Sequence, residues 1–118
     1  MNQKQLGKYG EKLAINYLIK QKYLIIAKNY TCRSGEIDII AKDKNELVFL
    51  EVKTRNSLNY GNPVDAVNNY KKKHILETTR YFLYKNNLEN SFIRFDVIEV
   101  YMKKNNKYFI NQIRNIFF

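Results

Sequence analysis

Three charged side chains of the sequence have the types and spacing of a site for a divalent cation. Asp38 lies in the run Gly35–Ile40, and Glu51 and Lys53 lie in the later run Leu47–Arg55. Mg²⁺ prefers one or two carboxylate oxygens, completed by water and substrate phosphate, and two acidic side chains can supply them. A lysine beside them can orient or deprotonate a water molecule, or neutralise charge that develops on a phosphate. These residues therefore indicate metal-assisted chemistry at a phosphate group.

The two runs predict a β-hairpin that brings these side chains together, because segments rich in Ile, Val, Phe and Leu flank a short polar turn. With a two-residue turn at 44–45, Asp38 lies opposite Glu51, and Glu36 lies opposite Lys53. Like charges placed directly opposite, with Cβ atoms about 5 Å apart, make a poor sheet surface and a good cation site. The alternative is an exposed hairpin face that carries ordinary salt bridges.

Alternation along a strand assigns these side chains to two faces of the sheet. Asp38 is expected to share its face with Glu36 and Ile40. The same rule places Arg94 and Asp96 together on a later strand, where a structural ion pair is the simplest role for both. The expected faces of the hairpin are Glu36, Asp38, Ile40, Phe49, Glu51 and Lys53 on one side, and Ile37, Ile39, Ala41, Val48, Leu50 and Val52 on the other.

A helix is predicted at residues 4–21, and it carries a further acidic candidate, Glu11. Glu11 projects from the apolar stripe of this helix or from its edge, since it shares a face with Ala14 and Leu18. A buried carboxylate requires a partner, which makes Glu11 a candidate to complete the acidic cluster. The alternative is a half-exposed glutamate that pairs with a neighbouring lysine.

The remaining elements predict one α/β domain. A second helix is expected from Pro63 to about Lys85, with Asn62 as its N-cap. Gly7 and Gly10 would allow the first helix to come close to another backbone. The order α-β-β-β-α-β-β predicts a mixed central β-sheet flanked by helices. The further strands are expected at 23–32, 92–101 and 108–113, within a single domain of residues 1–118.

The hairpin and several other segments resemble a known family. An Asp followed, about a dozen residues later, by Glu-x-Lys on the adjacent strand is the arrangement of the PD-(D/E)xK nucleases. The proline of that superfamily motif is absent, since Ile37 precedes Asp38. The chain looks more narrowly like the YraN-like family of small bacterial proteins, which is similar to archaeal Holliday-junction resolvases. The segments that carry this resemblance are Gly10-Glu11, Gly35–Ile40, Leu47–Arg55, Gly61–Pro63 and Arg94–Ile98.

The resemblance implies a restriction-endonuclease-like core and a metal-dependent endonuclease that hydrolyses phosphodiester bonds in DNA. Branched or junction DNA is the leading substrate that it implies. A homodimer is also implied, because symmetric cutting of a junction needs two active sites. The implied site holds one Mg²⁺ or Mn²⁺ through Asp38, Glu51, the backbone carbonyl of Val52 and Glu11, with Lys53 as a catalytic residue and Glu36 as a supporting or additional ligand.

The charge of the chain favours a polyanionic partner. It carries 21 Lys and Arg against 11 Asp and Glu, a net charge of +10, which points to nucleic acid first and to an anionic membrane surface second. Tyr60 could stack on an exposed base or pack on the domain, and His74 is expected to be structural or to contact phosphate. The candidate nucleic-acid contacts are Arg33, Thr54, Arg55, Tyr60, Lys71 and His74.

Composition also excludes several classes of protein. Cys32 is the only cysteine, so an intramolecular disulfide is excluded, and with one His a structural zinc site is not supported. The N-terminus lacks the apolar run of a signal peptide or membrane span, which predicts a cytoplasmic protein. No membrane partner and no small-molecule cofactor are expected.

Two other functions fit the same residues. A non-catalytic nucleic-acid-binding module would keep the cation site as a vestigial or regulatory feature. An interaction protein would use its basic face on an acidic protein or membrane, although the chain lacks a basic amphipathic helix with a continuous apolar face. Salt dependence of DNA binding separates the last function from the others, and a metal requirement separates the nuclease from the binding module.

Overall fold

The sequence folds into a mixed β-sheet with a helix on each face. The computed structural model describes residues 1–56 and 68–116. Within these residues no helix is both long and apolar enough to cross a lipid bilayer. The elements are α1 (Gln3–Lys20), β1 (Leu24–Cys32), β2 (Gly35–Asp43), β3 (Glu46–Arg55), α2 (Asn69–Lys85), β4 (Phe92–Met102) and β5 (Tyr108–Ile113), with a short 3₁₀ turn at Lys104–Asn106.

The strands lie in the order β1-β2-β3-β4-β5. Strands β1, β2 and β3 form an antiparallel meander, β3 and β4 are parallel, and β5 returns antiparallel to β4. A parallel pair needs a long crossover connection, and α2 lies in the connection between β3 and β4. The predicted mixed sheet and the predicted order of elements are therefore confirmed.

The register of the β2–β3 hairpin is also as predicted. Asp43 pairs with Glu46 around the two-residue turn, and the ladder continues to the pair of Ile39 and Leu50. The ladder stops there, so Asp38 lies just beyond the last paired residue of β2. The predicted direct pairing of Glu36 with Lys53 falls outside the ladder, because the two strands separate before they reach it.

One face assignment is wrong. Ile37 packs in the same apolar cluster as Ile40, beneath α2, whereas Ile39 packs beneath α1. The alternation shifts beside Asp38, where Asn29 of the neighbouring strand β1 adopts a left-handed backbone with φ of 51°. Ile37 and Ile39, on either side of Asp38, therefore face opposite helices, although strict alternation would place them on one face.

Two apolar clusters fill the space between the sheet and its helices. Val48 and Leu50 face α1, while Phe49 faces α2, as alternation along β3 predicts. The buried members of the α1 cluster are Leu13, Ala14, Leu18, Tyr23, Ile39, Ala41, Val48, Leu50, Ile98 and Val100. The buried members of the α2 cluster are Ile37, Ile40, Leu47, Phe49, Ile75, Phe82, Leu83 and Phe95.

Helix α1 makes its closest approach to the sheet at Gly10. This glycine is buried, and a β-carbon at its position would overlap the Thr54 side chain of β3. Gly7 is different, since no heavy atom of the described chain lies within 4 Å of a β-carbon built there. The predicted close approach therefore occurs at Gly10, and it sets Glu11 beside the end of β3.

Replacing Gly10 by Ala is expected to lower the free energy of unfolding by about 1–2 kcal/mol, because the added methyl group forces α1 away from Thr54. Gly7→Ala is the matched control, and it should be neutral or stabilise the helix by about 0.5–1 kcal/mol. Urea denaturation of both variants measures the difference. Equal effects of the two substitutions would contradict this role of Gly10.

Helix α2 begins later than predicted. Its N-cap is Asn68, whose side chain accepts a hydrogen bond from the backbone N–H of Lys71 at 2.8 Å. The backbone of Asn68 is extended, so a continuous helix from Pro63 is wrong. Asn62 and Pro63 lie outside the described residues. The polar side chain of Asn68 competes for the helix N–H groups and fixes the start of the helix at this point.

Arg94 of β4 forms the predicted ion pair with Asp96, and both side chains are buried. The guanidinium also contacts the carboxylates of Asp43 and Glu46, both at 3.2 Å, and it donates a hydrogen bond to the Tyr23 hydroxyl at 2.8 Å. This network joins the turn end of the hairpin and Tyr23, just before β1, to β4. It keeps the β2–β3 pair in place at the end opposite to the carboxylates.

Candidate metal centre

Asp38 and Glu51 come together where β2 and β3 separate. Asp38 Oδ2 accepts a hydrogen bond from the backbone N–H of Val52 at 2.8 Å, which joins the two strands beyond their ladder. Glu51 is buried, with 8% of its surface exposed, and Lys71 Nζ lies 3.1 Å from Glu51 Oε2. The other oxygen, Oε1 of Glu51, is buried and has no hydrogen-bond partner in the described chain.

Burial raises the cost of ionising both carboxylates. Burial, followed by the charge of Asp38, raises the pKa of Glu51 to about 7, although Lys71 opposes the shift. Burial also raises the pKa of Asp38, against the Val52 N–H and the charge of Lys71. The positive charge of Lys71 does not offset the effect of burial on either carboxylate, and perturbed carboxylates of this kind are typical of functional sites.

Glu11 lies beside this pair rather than in it. Burial, and then the charge of Asp38, raise the pKa of Glu11, while the Asn29 side chain and Lys8 lower it. Among residues 1–56 and 68–116, no three His, Cys, Asp or Glu side chains converge closely enough to hold a metal ion. The structure therefore brings Glu11 within electrostatic range of Asp38 but does not place it as a third ligand. Glu36 is exposed, and its charge acts on Glu11.

Lys53 is exposed on β3 and borders a cleft between α1 and the end of that strand. The cleft has a volume of about 460 Å³. It gathers five of the predicted site residues: Glu11, Val52, Lys53, Thr54 and Arg55. A phosphate bound in the cleft could therefore meet both Lys53 and Glu11.

Arg55 has a role that the sequence did not predict. Its Nε donates to Glu99 Oε2 at 3.0 Å, and both side chains are buried, so Arg55 lies in an ion pair rather than on the open surface. Glu99 was not identified from the sequence as the buried partner of Arg55. The side chain of Asn111 also donates a hydrogen bond to Glu99. A single Glu within the apolar run of β4 was the available signal, because a buried carboxylate requires a partner.

Of the basic candidates on α2 and on the β1–β2 turn, one contacts a carboxylate of the site, one contacts the backbone and one is exposed. Lys71 contacts Glu51, as its predicted place beside the site requires. His74 Nδ1 lies 2.7 Å from the carbonyl oxygen of Ser34, so it donates its proton there and ties α2 to the turn. Arg33 is exposed in that turn. Tyr60 lies outside the described residues.

The residues present fit one divalent cation. Glu51 Oε1 is a buried acceptor without a partner in the described chain, next to the carboxylate of Asp38. Mg²⁺ is commonly held by one or two carboxylates and keeps several water molecules, so two acidic side chains suffice. Asp38 and Glu51 would hold the ion, with the predicted backbone carbonyl of Val52 beside them.

Comparisons with known proteins agree on one family. The model of the uncharacterised protein family UPF0102 matches residues 10–100. A UPF0102 protein of Clostridioides difficile strain 630 is 47% identical over 117 residues, which cover 99% of this chain and 100% of that protein. UPF0102 proteins of Caldicellulosiruptor saccharolyticus and Caldicellulosiruptor bescii are 45% and 47% identical, again over 99% of this chain and 100% of their own length. The chain therefore belongs to the UPF0102 family, which is the YraN-like family.

Proposed function

We propose that this protein is a metal-dependent endonuclease that hydrolyses phosphodiester bonds in DNA. The observation that carries the proposal is the pair formed by half-buried Asp38 and buried Glu51, in which Oε1 of Glu51 lacks a hydrogen-bond partner in the described chain. A protein with a net charge of +10 attracts polyanions, and a phosphate drawn to this pair would complete the coordination of a cation.

Each residue of the site has a separate task in this proposal. A bound Mg²⁺ or Mn²⁺ polarises a phosphoryl oxygen and lowers the pKa of a water molecule. Asp38 and Glu51 fix the position of the ion, and the Val52 N–H keeps Asp38 turned toward Glu51. Lys53 borders the cleft and orients or deprotonates the attacking water, or neutralises charge on the phosphate. Glu11 adds negative charge to the same cleft.

DNA is the proposed partner, and branched DNA is the proposed substrate class within it. Arg33 is exposed and charged, which suits it for contacts with the phosphate backbone. Two copies of the protein would bring two sites to the symmetric strands of a junction. A homodimer is therefore part of the proposal, and sedimentation of the protein with and without junction DNA measures it.

A second candidate is a nucleic-acid-binding module that does not cut. Two contacts favour it, since Asp38 already accepts the Val52 N–H and Glu51 already pairs with Lys71. Both carboxylates thereby have a structural role that needs no metal. In that case the site would be vestigial or would bind a regulatory cation.

Cleavage of labelled DNA tests the proposal. Four-way junction, flap, single-stranded and duplex DNA are incubated with the protein in Mg²⁺, in Mn²⁺ and in EDTA. We expect metal-dependent cutting, and Lys53→Ala is expected to reduce it by at least about 100-fold while DNA binding stays largely intact. Lys42→Ala is the matched control, because it removes the same charge from an exposed position of β2 near the hairpin turn.

The outcomes separate the two candidates. Cutting that Lys53→Ala abolishes and Lys42→Ala preserves supports the nuclease and ranks its substrates. Tight binding without cutting on every substrate contradicts the nuclease and favours the binding module. Cutting that is equal in wild type and Lys53→Ala contradicts the assigned role of Lys53.

A further inference from the structure

Lys71 reaches the carboxylate pair from α2, which packs on the sheet face opposite to α1. Its Nζ lies 3.1 Å from Glu51 Oε2, and its side chain is 46% exposed, whereas the Glu51 side chain is 11% exposed. The ammonium thus points inward at the edge of the site, while the stem lies partly in solvent. A lysine stem has four rotatable carbons, so its ammonium can turn outward without movement of the helix.

The place of Lys71 on its helix is unfavourable for the helix itself. Asn68 caps the backbone N–H of Lys71, which puts Lys71 in the first turn of α2, a turn without an acidic residue. The N-terminus of a helix carries partial positive charge, so a cation there is disfavoured. A lysine in the first turn does not stabilise α2, so the contact of Lys71 with Glu51 is the better explanation for a lysine at this position.

Lys71 and a divalent cation would neutralise the same negative charge. Lys71 lowers the cost of ionising both Asp38 and Glu51 in the metal-free protein. An ammonium and a dication held within a few ångströms of each other repel strongly, even when water screens part of the interaction. The Lys71 ammonium and a divalent cation therefore compete for the carboxylates of Asp38 and Glu51.

Building on the proposed cation site, we infer that Lys71 is an exchangeable counter-cation of the Asp38–Glu51 pair. Its ammonium neutralises Glu51 in the metal-free protein and turns to a DNA phosphate when a divalent cation takes its place. Coupling between two ligands is reciprocal, so Lys71 weakens the binding of the cation while the cation makes Lys71 available to DNA. Lys71 thereby links metal loading to substrate binding.

Titration calorimetry with Mn²⁺, in the absence of DNA, tests the first half of this inference. Lys71→Gln is expected to bind Mn²⁺ about five- to tenfold more tightly than wild type, because a competing positive charge is gone. Lys73→Gln removes the same charge from an exposed position of α2 and is expected to leave the affinity unchanged. Lys71→Arg keeps the charge and should bind Mn²⁺ like wild type.

The outcomes distinguish this inference from the proposed function. A wild-type protein that binds no Mn²⁺ overturns both. A wild-type protein that binds Mn²⁺, with equal or weaker binding by Lys71→Gln, overturns the counter-cation and leaves the nuclease standing. Tighter binding by Lys71→Gln, and not by Lys73→Gln, supports the exchange.

The salt dependence of DNA binding tests the second half, in a Lys53→Ala background that prevents cutting. One phosphate contact changes the slope of log affinity against log salt by about 0.9. In Mn²⁺, Lys71→Gln is expected to reduce the slope by this amount. In EDTA it should leave the slope unchanged, since Lys71 is then held by Glu51. A reduction of equal size in both conditions would contradict the exchange.

Discussion

Replacing Glu51 by Gln is expected to make the metal-free protein more stable at about pH 8, by about 1–3 kcal/mol. The ordinary pKa of this side chain is 4.5, and in the folded protein burial and the charge of Asp38 raise the pKa to about 7. A shift of this size corresponds to about 3 kcal/mol. The lower end of the expected gain allows for the loss of the contact between Lys71 and Glu51.

The sign of this effect follows from where the proton binds. Folding favours the protonated form of Glu51, so its contribution to stability is fully present below the unfolded pKa of 4.5 and is lost as the pH rises through about 7. Glutamine cannot ionise, so Glu51→Gln should show a flatter dependence of stability on pH. The gain should therefore be present at about pH 8 and nearly absent at about pH 4.

Urea denaturation in EDTA at several pH values measures this difference. Glu89→Gln is the matched control, because Glu89 is exposed on the surface after α2. The control should follow the wild-type curve at every pH. If the stability of Glu51→Gln parallels that of wild type across the whole pH range, ionisation of Glu51 does not destabilise the folded protein, and the prediction is wrong.

Removal of the Arg94 side chain is expected to cost about 3–5 kcal/mol, a large part of the stability of a single domain. Arg94→Ala leaves the buried carboxylate of Asp96 with hydrogen bonds from Gln112 and from the backbone N–H of Asn115 among the residues that the structure describes. It also removes the cation that neutralises Asp43 and Glu46 beside the hairpin turn. An uncompensated buried charge accounts for most of the expected loss.

The free energy of unfolding of Arg94→Ala, measured with urea at neutral pH, tests this prediction. Arg80→Ala removes an exposed arginine from α2 and should change the stability by no more than about 0.5 kcal/mol. Asp96→Asn in the Arg94→Ala background should recover part of the loss, because it removes the unpaired charge. A loss as small as that of Arg80→Ala would contradict the structural role of this network.

The β2–β3 hairpin and its register could be predicted from the sequence because they depend on residues that are close together in the chain. Apolar runs around a polar two-residue turn specify both strands and their register, and the pairing of Asp43 with Glu46 follows from them. The pair of Arg94 and Asp96 was predictable for the same reason, since residues two apart on one strand share a face.

The features that could not be predicted depend on distant partners or on backbone conformations. The face of Ile37 departs from strict alternation at a point that lies across from the left-handed backbone of Asn29 on another strand. The start of α2 depends on which residue caps it, and the hydrogen bond from the Lys71 N–H to Asn68 that decides this forms only in the folded helix. Arg55 was expected on the surface because nothing near it in sequence reveals Glu99 as its partner.

The candidate site was predictable in its centre and not in its surroundings. The spacing of Asp38 and Glu51 specifies their meeting, since a hairpin register fixes both positions. Glu11 was expected among the ligands, and helix α1 places it beside the pair, where its charge interacts with that of Asp38. The contact of Lys71 with Glu51 depends on how α2 packs across the sheet, and helical periodicity specifies only its neighbourhood.

Cleavage of a labelled four-way junction by wild type and Glu51→Gln, in Mn²⁺ and in EDTA, tests most directly whether the carboxylate pair is a catalytic cation site. Both proteins are expected to be folded, and the variant is expected to be the more stable of the two at the assay pH. The account predicts cutting by wild type in Mn²⁺ alone and a loss of at least about 1,000-fold in Glu51→Gln. Cutting by Glu51→Gln at the wild-type rate would contradict it.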